Sequence, residues 1–285
     1  MPVPVGIRPM TLDDADAAHD VAAKVMGPPS AGVPEPLRRS WARARSHHLL
    51  ATDPGGAWVA EARGQVVGVA LALVREGIWG LSLLAVGAAD QGRGVGRRLL
   101  QAAWDHGAGT RGQIVLSSTS PAAMRRYARL GLGLRPCVAA AGIVDRDRIP
   151  AQAGRVQDVG EAGIAVADAI GRAVRGAGHG RDLPVALATG GRLLVFEDRA
   201  FALVRGGQVA LLAARDEDAA RAMLWGALTI GAPGSTAGVD TLTAGQDWAI
   251  GVCLDAGLVL SPDGPLFVGG EPGPMTPYIP NGAFL

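Results

Sequence analysis

Residues 83–103 read LLAVGAADQGRGVGRRLLQAA, and this stretch decides the fold. It begins inside a nearly continuous apolar run, Ile78 to Val86, of the kind expected for a strand in a sheet interior. It then passes through Gln91-Gly92-Arg93-Gly94-Val95-Gly96 and enters a helix whose apolar stripe is Leu99, Leu100 and Ala103. Glycines at 92, 94 and 96 leave successive backbone amides uncovered at the start of that helix, where the helix dipole also favours negative charge. The loop reads as an anion cradle. It lacks the Gly-Lys-Ser/Thr ending of a nucleoside-triphosphate loop. Its spacing is not that of a dinucleotide fingerprint, and no acidic residue follows on a second strand about 20 residues later.

Upstream of this segment, Val3 to Arg8 is a short strand candidate, and Thr11 with Asp14 forms a capping-box pattern before a helix through about Met26. Pro28, Pro29, Pro34 and Pro36 then break the chain ahead of a helix over roughly Leu37 to Arg45. Ala57–Ala62 and Val66–Arg75 flank Arg63-Gly64-Gln65 as a hairpin. Downstream come a helix from Val95 to His106, a strand from Gln113 to Ser118, a helix from Pro121 to Leu130, and one or two strands from Arg135 to Val144. This order predicts an α/β fold, a mixed sheet with helices on both faces.

Two motifs carry a resemblance. Gln91, Gly94 and Gly96, followed by Arg97, resemble the Q/R-x-x-G-x-G/A acyl-coenzyme A motif of the GCN5-related N-acetyltransferase (GNAT) superfamily. Some 30 residues on, the stretch from Ser120 through Tyr127 to Gly131-Leu132 is similar to that superfamily's N-x-x-A-x-x-x-Y-x-x-x-G-F segment, with Ser120 for Asn and Leu132 for Phe. The resemblance covers residues 5–144. It implies acetyl-coenzyme A as cofactor, with its pyrophosphate on the amides of Gln91, Gly92, Arg93, Gly94, Val95 and Gly96 and with Arg93 and Arg97 nearby. It also implies that Leu84, Ala85 and Val86 bind the pantetheine arm, and that Ser120 and Ala123 complete the cofactor site. Tyr127 would be the general acid beside the sulfur, and the backbone amide of Val86 would polarise the thioester carbonyl. Read from the residues alone, Tyr127 also fits a core aromatic packing its helix on the sheet. The general base is not singled out: Glu61, Glu76, His47, His48 and a water ordered by Ser82 all remain open.

Composition narrows the alternatives. The 285 residues carry 27 basic and 26 acidic side chains, and aromatic residues make up only 4%. That leaves neither a basic face nor a stacking platform for nucleic acid. Lys24 is the only lysine, which marks a compositional bias toward arginine. Cys137 and Cys253 are too few for a disulfide framework or a thiolate zinc site, and no metal is expected. The start MPVPVGIRPM has no leader pattern, and no apolar run reaches the roughly 20 residues needed to span a bilayer. A cytoplasmic protein without membrane contact is the expectation.

After a linker-like stretch, Arg146 to Arg155, the chain echoes itself. A helix is expected over Val159–Val174, and strands over Val185–Thr189, Arg192–Glu197, Ala200–Arg205 and Gln208–Ala213. Val209–Ala214 matches Leu81–Val86 at an offset of 128, and Gln246–Leu258 matches Ser120–Leu132 at an offset of 126. In this second copy Arg215-Asp-Glu-Asp218 replaces the glycine loop, and Cys253 stands at the tyrosine position as a buried thiol. Acidic residues are the wrong charge for a pyrophosphate. The arrangement resembles bacterial two-domain acetyltransferases: a tandem GNAT fold with residues 1–145 carrying the intact loop and residues 146–285 divergent. The second copy would supply structure, a wall of the acceptor pocket or a homodimer contact. The tail Pro274-Met-Thr-Pro277-Tyr278-Ile-Pro280-Asn281-Gly282-Ala283-Phe284-Leu285 is expected to be held extended by its three prolines and to pack back, either lining a site or serving structure alone. The function expected is acetyl transfer from acetyl-coenzyme A to the amine of a small-molecule or amino-acid-like acceptor. The alternatives are a non-catalytic acetyl-coenzyme A binder with a structural or sensory role, and chemistry like that of mycothiol synthase.

Overall fold

A computed structural model describes residues 4–26 and 34–285; Val3, Pro28 and Pro29 lie outside them. The first half runs β1 (Gly6–Pro9), α1 (Ala15–Met26), α2 (Glu35–Thr52), β2 (Ala57–Ala62), β3 (Gln65–Arg75), β4 (Ile78–Val86), α3 (Val95–Asp105), β5 (Gly112–Leu116), α4 (Pro121–Arg129) and β6 (Gly133–Ile143). The second half runs β7 (Gln157–Asp158), α5 (Ile164–Val174), α6 (Leu183–Ala188), β8 (Arg192–Phe196), β9 (Ala200–Arg205), β10 (Gln208–Ala214), α7 (Glu217–Leu228), β11 (Thr236–Thr243), α8 (Asp247–Asp255), β12 (Val259–Gly270) and β13 (Tyr278–Ile279). No described helix is long and apolar enough to cross a membrane.

Local signals place most of these elements. The Thr11 N–H and hydroxyl both donate to the Asp14 carboxylate, and Arg8 clamps that carboxylate with two further hydrogen bonds of 2.7 and 2.8 Å, fixing the entry to α1. Pro36 does not break α2. It sits in the first turn, where a missing N–H costs nothing, and the helix runs on to Thr52, well past the expected Arg45. Val185–Thr189 is not a strand. Pro184 opens the short helix α6 there instead, and apolar composition alone did not distinguish the two. The linker-like Arg146–Arg155 stretch forms two 3₁₀ turns.

All strands join one 13-stranded sheet in the order β1-β2-β3-β4-β5-β12-β6-β11-β10-β9-β8-β7, with β13 attached to β10. At the centre each half closes on the other's last long strand: β12 pairs with β5, and β6 pairs with β11, all antiparallel. The β6–β12 ladder includes the pair Cys137↔Asp263. These positions differ by 126 (263 − 137), the offset of the second of the two sequence matches. One face of the sheet carries a core shared by both halves, from Ala18 of α1 to Ile170 of α5 and on to Phe284 and Leu285. The other face carries two separate cores, one containing Leu99 and Tyr127 and one containing Met223 and Cys253. Both cysteines are buried and free, and burial pushes their thiols up to about 11 and about 12.

A buried ion network ties the halves together. Arg75 of β3 bonds Asp53 at 2.7 Å and Asp182, just before α6, at 2.7 Å, and His48 of α2 reaches the same Asp182 carboxylate at 2.7 Å. Charges this well buried persist only when paired. Both carboxylates are held below the usual range against the pull of burial, by Thr52 and Arg75 at Asp53 and by His48 and Arg75 at Asp182.

The feature that positions the site is a parting of parallel strands. β4 and β5 pair only from Ile78↔Gly112 to Leu81↔Val115 and then diverge. β10 and β11 pair at Gln208↔Gly238 and Val209↔Val239 and diverge likewise. In the second half the chain's own tail fills the gap: β13 pairs antiparallel with β10 at Leu212↔Ile279 and Ala213↔Tyr278, and the Ala214 N–H donates to the Pro277 carbonyl at 3.2 Å. In the first half no described strand takes that place.

Candidate active site

The open gap beside β4 is a cleft of about 260 Å³. One wall is β4 from Leu81 to Val86. Facing it are Leu116 and Ser118 after β5 and the α4 residues Ala122, Ala123, Arg126 and Tyr127. The strand itself is prepared for a ligand. Opposite β3, Leu71 pairs with Leu83 and Ala72 with Leu81, so Ser82 is the extra residue of a bulge. Its hydroxyl is buried, lines the cleft and finds no hydrogen-bond partner. Beyond the bulge the Gly87 N–H donates to the Val67 carbonyl at 2.8 Å. Strand alternation then turns the backbone of Ala85 toward β3 and the polar groups of Leu84 and Val86 toward the cleft.

The glycine loop closes one end. Gly92 and Gly94 have φ of 75° and 78°, the left-handed region that side chains disfavour, and Gly94 caps α3. The Gln91 side chain donates to the Val86 carbonyl at 2.9 Å, drawing the loop onto the end of β4. A methyl on Gly96 would lie 2.4 Å from the Arg126 guanidinium, so α4 delivers a cation directly over the amide-rich start of α3. That is a second source of positive potential beside the helix dipole.

Tyr127 is buried and packs edge-on against Phe267 of β12 with ring centroids 5.4 Å apart. It is therefore both a core aromatic and a lining residue of the cleft. Burial pushes its hydroxyl up to about 12, against a small opposing effect of Arg126.

Leu84, Ala85, Val86, Gln91, Gly92, Gly96, Ser120, Ala123 and Tyr127 line one cleft. Gly94 shapes the loop from its cap position. Val95 instead points into the core, Arg93 is bound by Asp90, and Arg97 is exposed on α3. The open candidates for a base scatter. Glu61 pairs with Arg8, Glu76 with Arg172, and His48 with Asp182, while His47 is exposed; of these candidates Ser82 alone lines the cleft. Arg126 was missed, although its signal was present: positions 122, 123, 126 and 127 form one helical face, so the residue beside Tyr127 shares its outlook. No group of three described His, Cys, Asp or Glu side chains could hold a metal ion.

Residues 53–131 match the acetyltransferase (GNAT) domain family. The matched segment holds β2 to α4, the loop and Tyr127. No curated protein shows significant sequence similarity to the chain. Among solved structures, a Pyrococcus horikoshii protein named as an acetyltransferase by inference superposes with a TM-score of 0.81 at 18% identity, over 99% of this chain and 96% of its own. A GCN5-related N-acetyltransferase from Kribbella flavida gives 0.58 at 16% identity, over 93% and 71%, and one from Sphaerobacter thermophilus gives 0.56 at 17%, over 95% and 98%. The chain has the mixed α/β fold of the GNAT superfamily.

Proposed function

We propose that the protein is an acyl-coenzyme A-dependent N-acetyltransferase acting on a small-molecule amine, with residues 1–145 as the coenzyme-binding copy of a diverged tandem GNAT pair. The observation that carries this reading is the juxtaposition, in one cleft, of a strand edge whose Leu84 and Val86 backbone faces it, an amide-rich helix start under Arg126, and the Tyr127 ring. The parts fit the coenzyme in order along the cleft. Amides of Gly92 to Gly96 and the Arg126 guanidinium suit a pyrophosphate. The cleft-facing backbone of Leu84 and Val86 suits the amides of a pantetheine arm, and the unpartnered Ser82 hydroxyl awaits a polar group.

Bound acetyl-coenzyme A supplies a thioester, which is activated toward a neutral amine. The chain's share of the work is electrostatic and protonic. The Val86 N–H is placed to donate to a carbonyl oxygen that gains charge. The Tyr127 hydroxyl keeps its proton at any physiological pH, so it stands ready as a donor to the sulfur of a thiolate leaving into a water-poor cleft, where loss of hydration makes that thiolate more basic. The divergent second copy supports the same assignment: its gap is filled by the tail, and Asp216, Glu217 and Asp218 occupy the start of its α7.

Titration calorimetry with acetyl-coenzyme A and with coenzyme A tests the reading. Micromolar binding is expected, and it should be lost in Gly94→Asp, which adds a carboxylate at the cradle where a new side chain meets no neighbour within 4 Å. A folded protein that binds neither ligand would refute it. Binding without turnover on any amine would favour the non-catalytic alternative.

A further inference from the structure

A second cavity, of about 300 Å³, adjoins the first; Leu116 lines both. Leu81↔Val115 is the last pair of the parallel ladder, so Ser82 and Leu116 are the positions where β4 and β5 part. The orphaned, buried Ser82 hydroxyl belongs to the first cleft, and Leu116 is the wall that the two spaces share. Ser117 follows Leu116 in the wall, and the rest comes from the second half: Gln208 and Ala210 of β10, Asp240 and Thr241 of β11, Asp263 of β12, and Asn281 of the tail.

These walls are built and charged. The Asp263 carboxylate accepts the N–H groups of Thr241 at 2.9 Å and Gly264 at 2.6 Å, which fixes the bulges of β11 and β12. Asn281 anchors the tail by donating to the Ala210 carbonyl at 3.0 Å. Asp240 receives only the Gln208 amide, at 3.2 Å, and is otherwise free to meet a ligand. It is open to solvent on one side. Loss of hydration on the other, with the charge of Asp263, holds its carboxyl above the usual range. Two carboxylates line the cavity, and no Lys, Arg or His does.

We infer that this cavity receives the acceptor, and that the acceptor is a cationic amine without a carboxylate of its own, held by Asp240 with Asp263 behind it. The inference rests on the acetyltransferase reading of the adjoining cleft and adds the acceptor class and a residue of the second half to it. The charge balance argues for the class: an ammonium group neutralises the acidic walls, whereas an amino-acid carboxylate would meet two like charges and no cation. The volume suits a small molecule and not a folded protein surface. Asp240 also offers a route for the proton. An ammonium must lose one proton before its nitrogen can attack, and a second leaves that nitrogen as the new amide forms, the carbon–sulfur bond breaks and the departing sulfur takes up a proton to leave as the thiol. Asp240 can pass the first to solvent through its open side.

Calorimetric titration with spermidine as probe, in wild type and in Asp240→Asn, tests this without requiring turnover. The asparagine keeps the shape and can still accept from Gln208. Spermidine is expected to bind wild type and to lose at least tenfold in affinity in the variant, while coenzyme A binds both proteins equally. Equal spermidine affinity in the two proteins overturns the inference. So does the absence of spermidine binding to a protein that binds coenzyme A, or tighter binding of glutamate than of spermidine. Failure of coenzyme A to bind wild type is a separate result, and it overturns the acetyltransferase reading on which the inference depends.

Discussion

Gly80 lies in β4, and a methyl group in its place would sit 1.9 Å from Leu285 Cδ1. Leu285, 1% exposed, therefore occupies the hole left by the missing side chain. Gly80→Ala forces that leucine out of its seat, and overpacking of this kind costs about 1–3 kcal/mol. Against this stands a gain of about 0.5–1 kcal/mol for replacing a glycine inside a strand. Leu285→Ala empties the hole at a cost of about 2–5 kcal/mol. In the double variant the new methyl enters vacated space, so the overpacking cost disappears and the strand gain remains. Gly80→Ala should thus destabilise the wild-type protein and be neutral or stabilising beside Leu285→Ala. The corresponding coupling is about 1–3 kcal/mol. Urea unfolding of the four proteins, followed by circular dichroism, reads each effect as a shift in midpoint. Additivity within about 0.5 kcal/mol would refute the seating of the tail against β4.

Tyr127→Phe should lower kcat at least tenfold and leave coenzyme A affinity within about twofold, as expected for loss of a transition-state proton donor; unchanged kcat removes the hydroxyl from the mechanism. Because burial pushes this hydroxyl up to about 12, a pH–rate profile should show no fall from its ionisation at about pH 9–10, where an unperturbed tyrosine titrates. Arg126→Ala should weaken coenzyme A binding by about tenfold or more, the scale of one charged hydrogen bond, with partial recovery in Arg126→Lys; equal calorimetric affinities would place the guanidinium outside the pyrophosphate site. The hydrogen bonds from Arg8 hold the Asp14 carboxyl down to about 2, from an ordinary 3.8. The folded value lies below the unfolded one, so this stability is complete above pH 3.8 and drains away as pH falls through about 2. Asp14→Asn should flatten the acid limb of a stability profile there, and an unaltered slope would count against the clamp.

The first-half elements were legible in the sequence because each carried its own local signal: the Thr11–Asp14 box, the Arg63-Gly64 turn, and the glycines before α3. The motif residues converge on one cleft because they sit on adjacent elements whose spacing the fold preserves. Arg126 was obscured by a charge that reads as solvated surface until its helical face is drawn with Tyr127. The exchange of β6 and β12 between halves left no local trace, since strand pairing depends on partners about ninety or more residues apart. Asp240 was hidden for the same reason. Nothing near it in the chain marks it as chemical, and it gains a setting only when β10, β11, β12 and the tail meet.

The tail alongside β10 can be regarded as a ligand that never leaves. Being part of the same chain, it faces its slot at an effective concentration on the order of millimolar or higher. A free ligand entering that slot must outcompete a segment tethered beside it. On the proposed function the expected stoichiometry follows: one gap is closed by the tail and one is open, so one cofactor is expected per chain. The same tail that closes one gap also holds Asn281 in the wall of the neighbouring cavity, so a single segment serves two places in the fold.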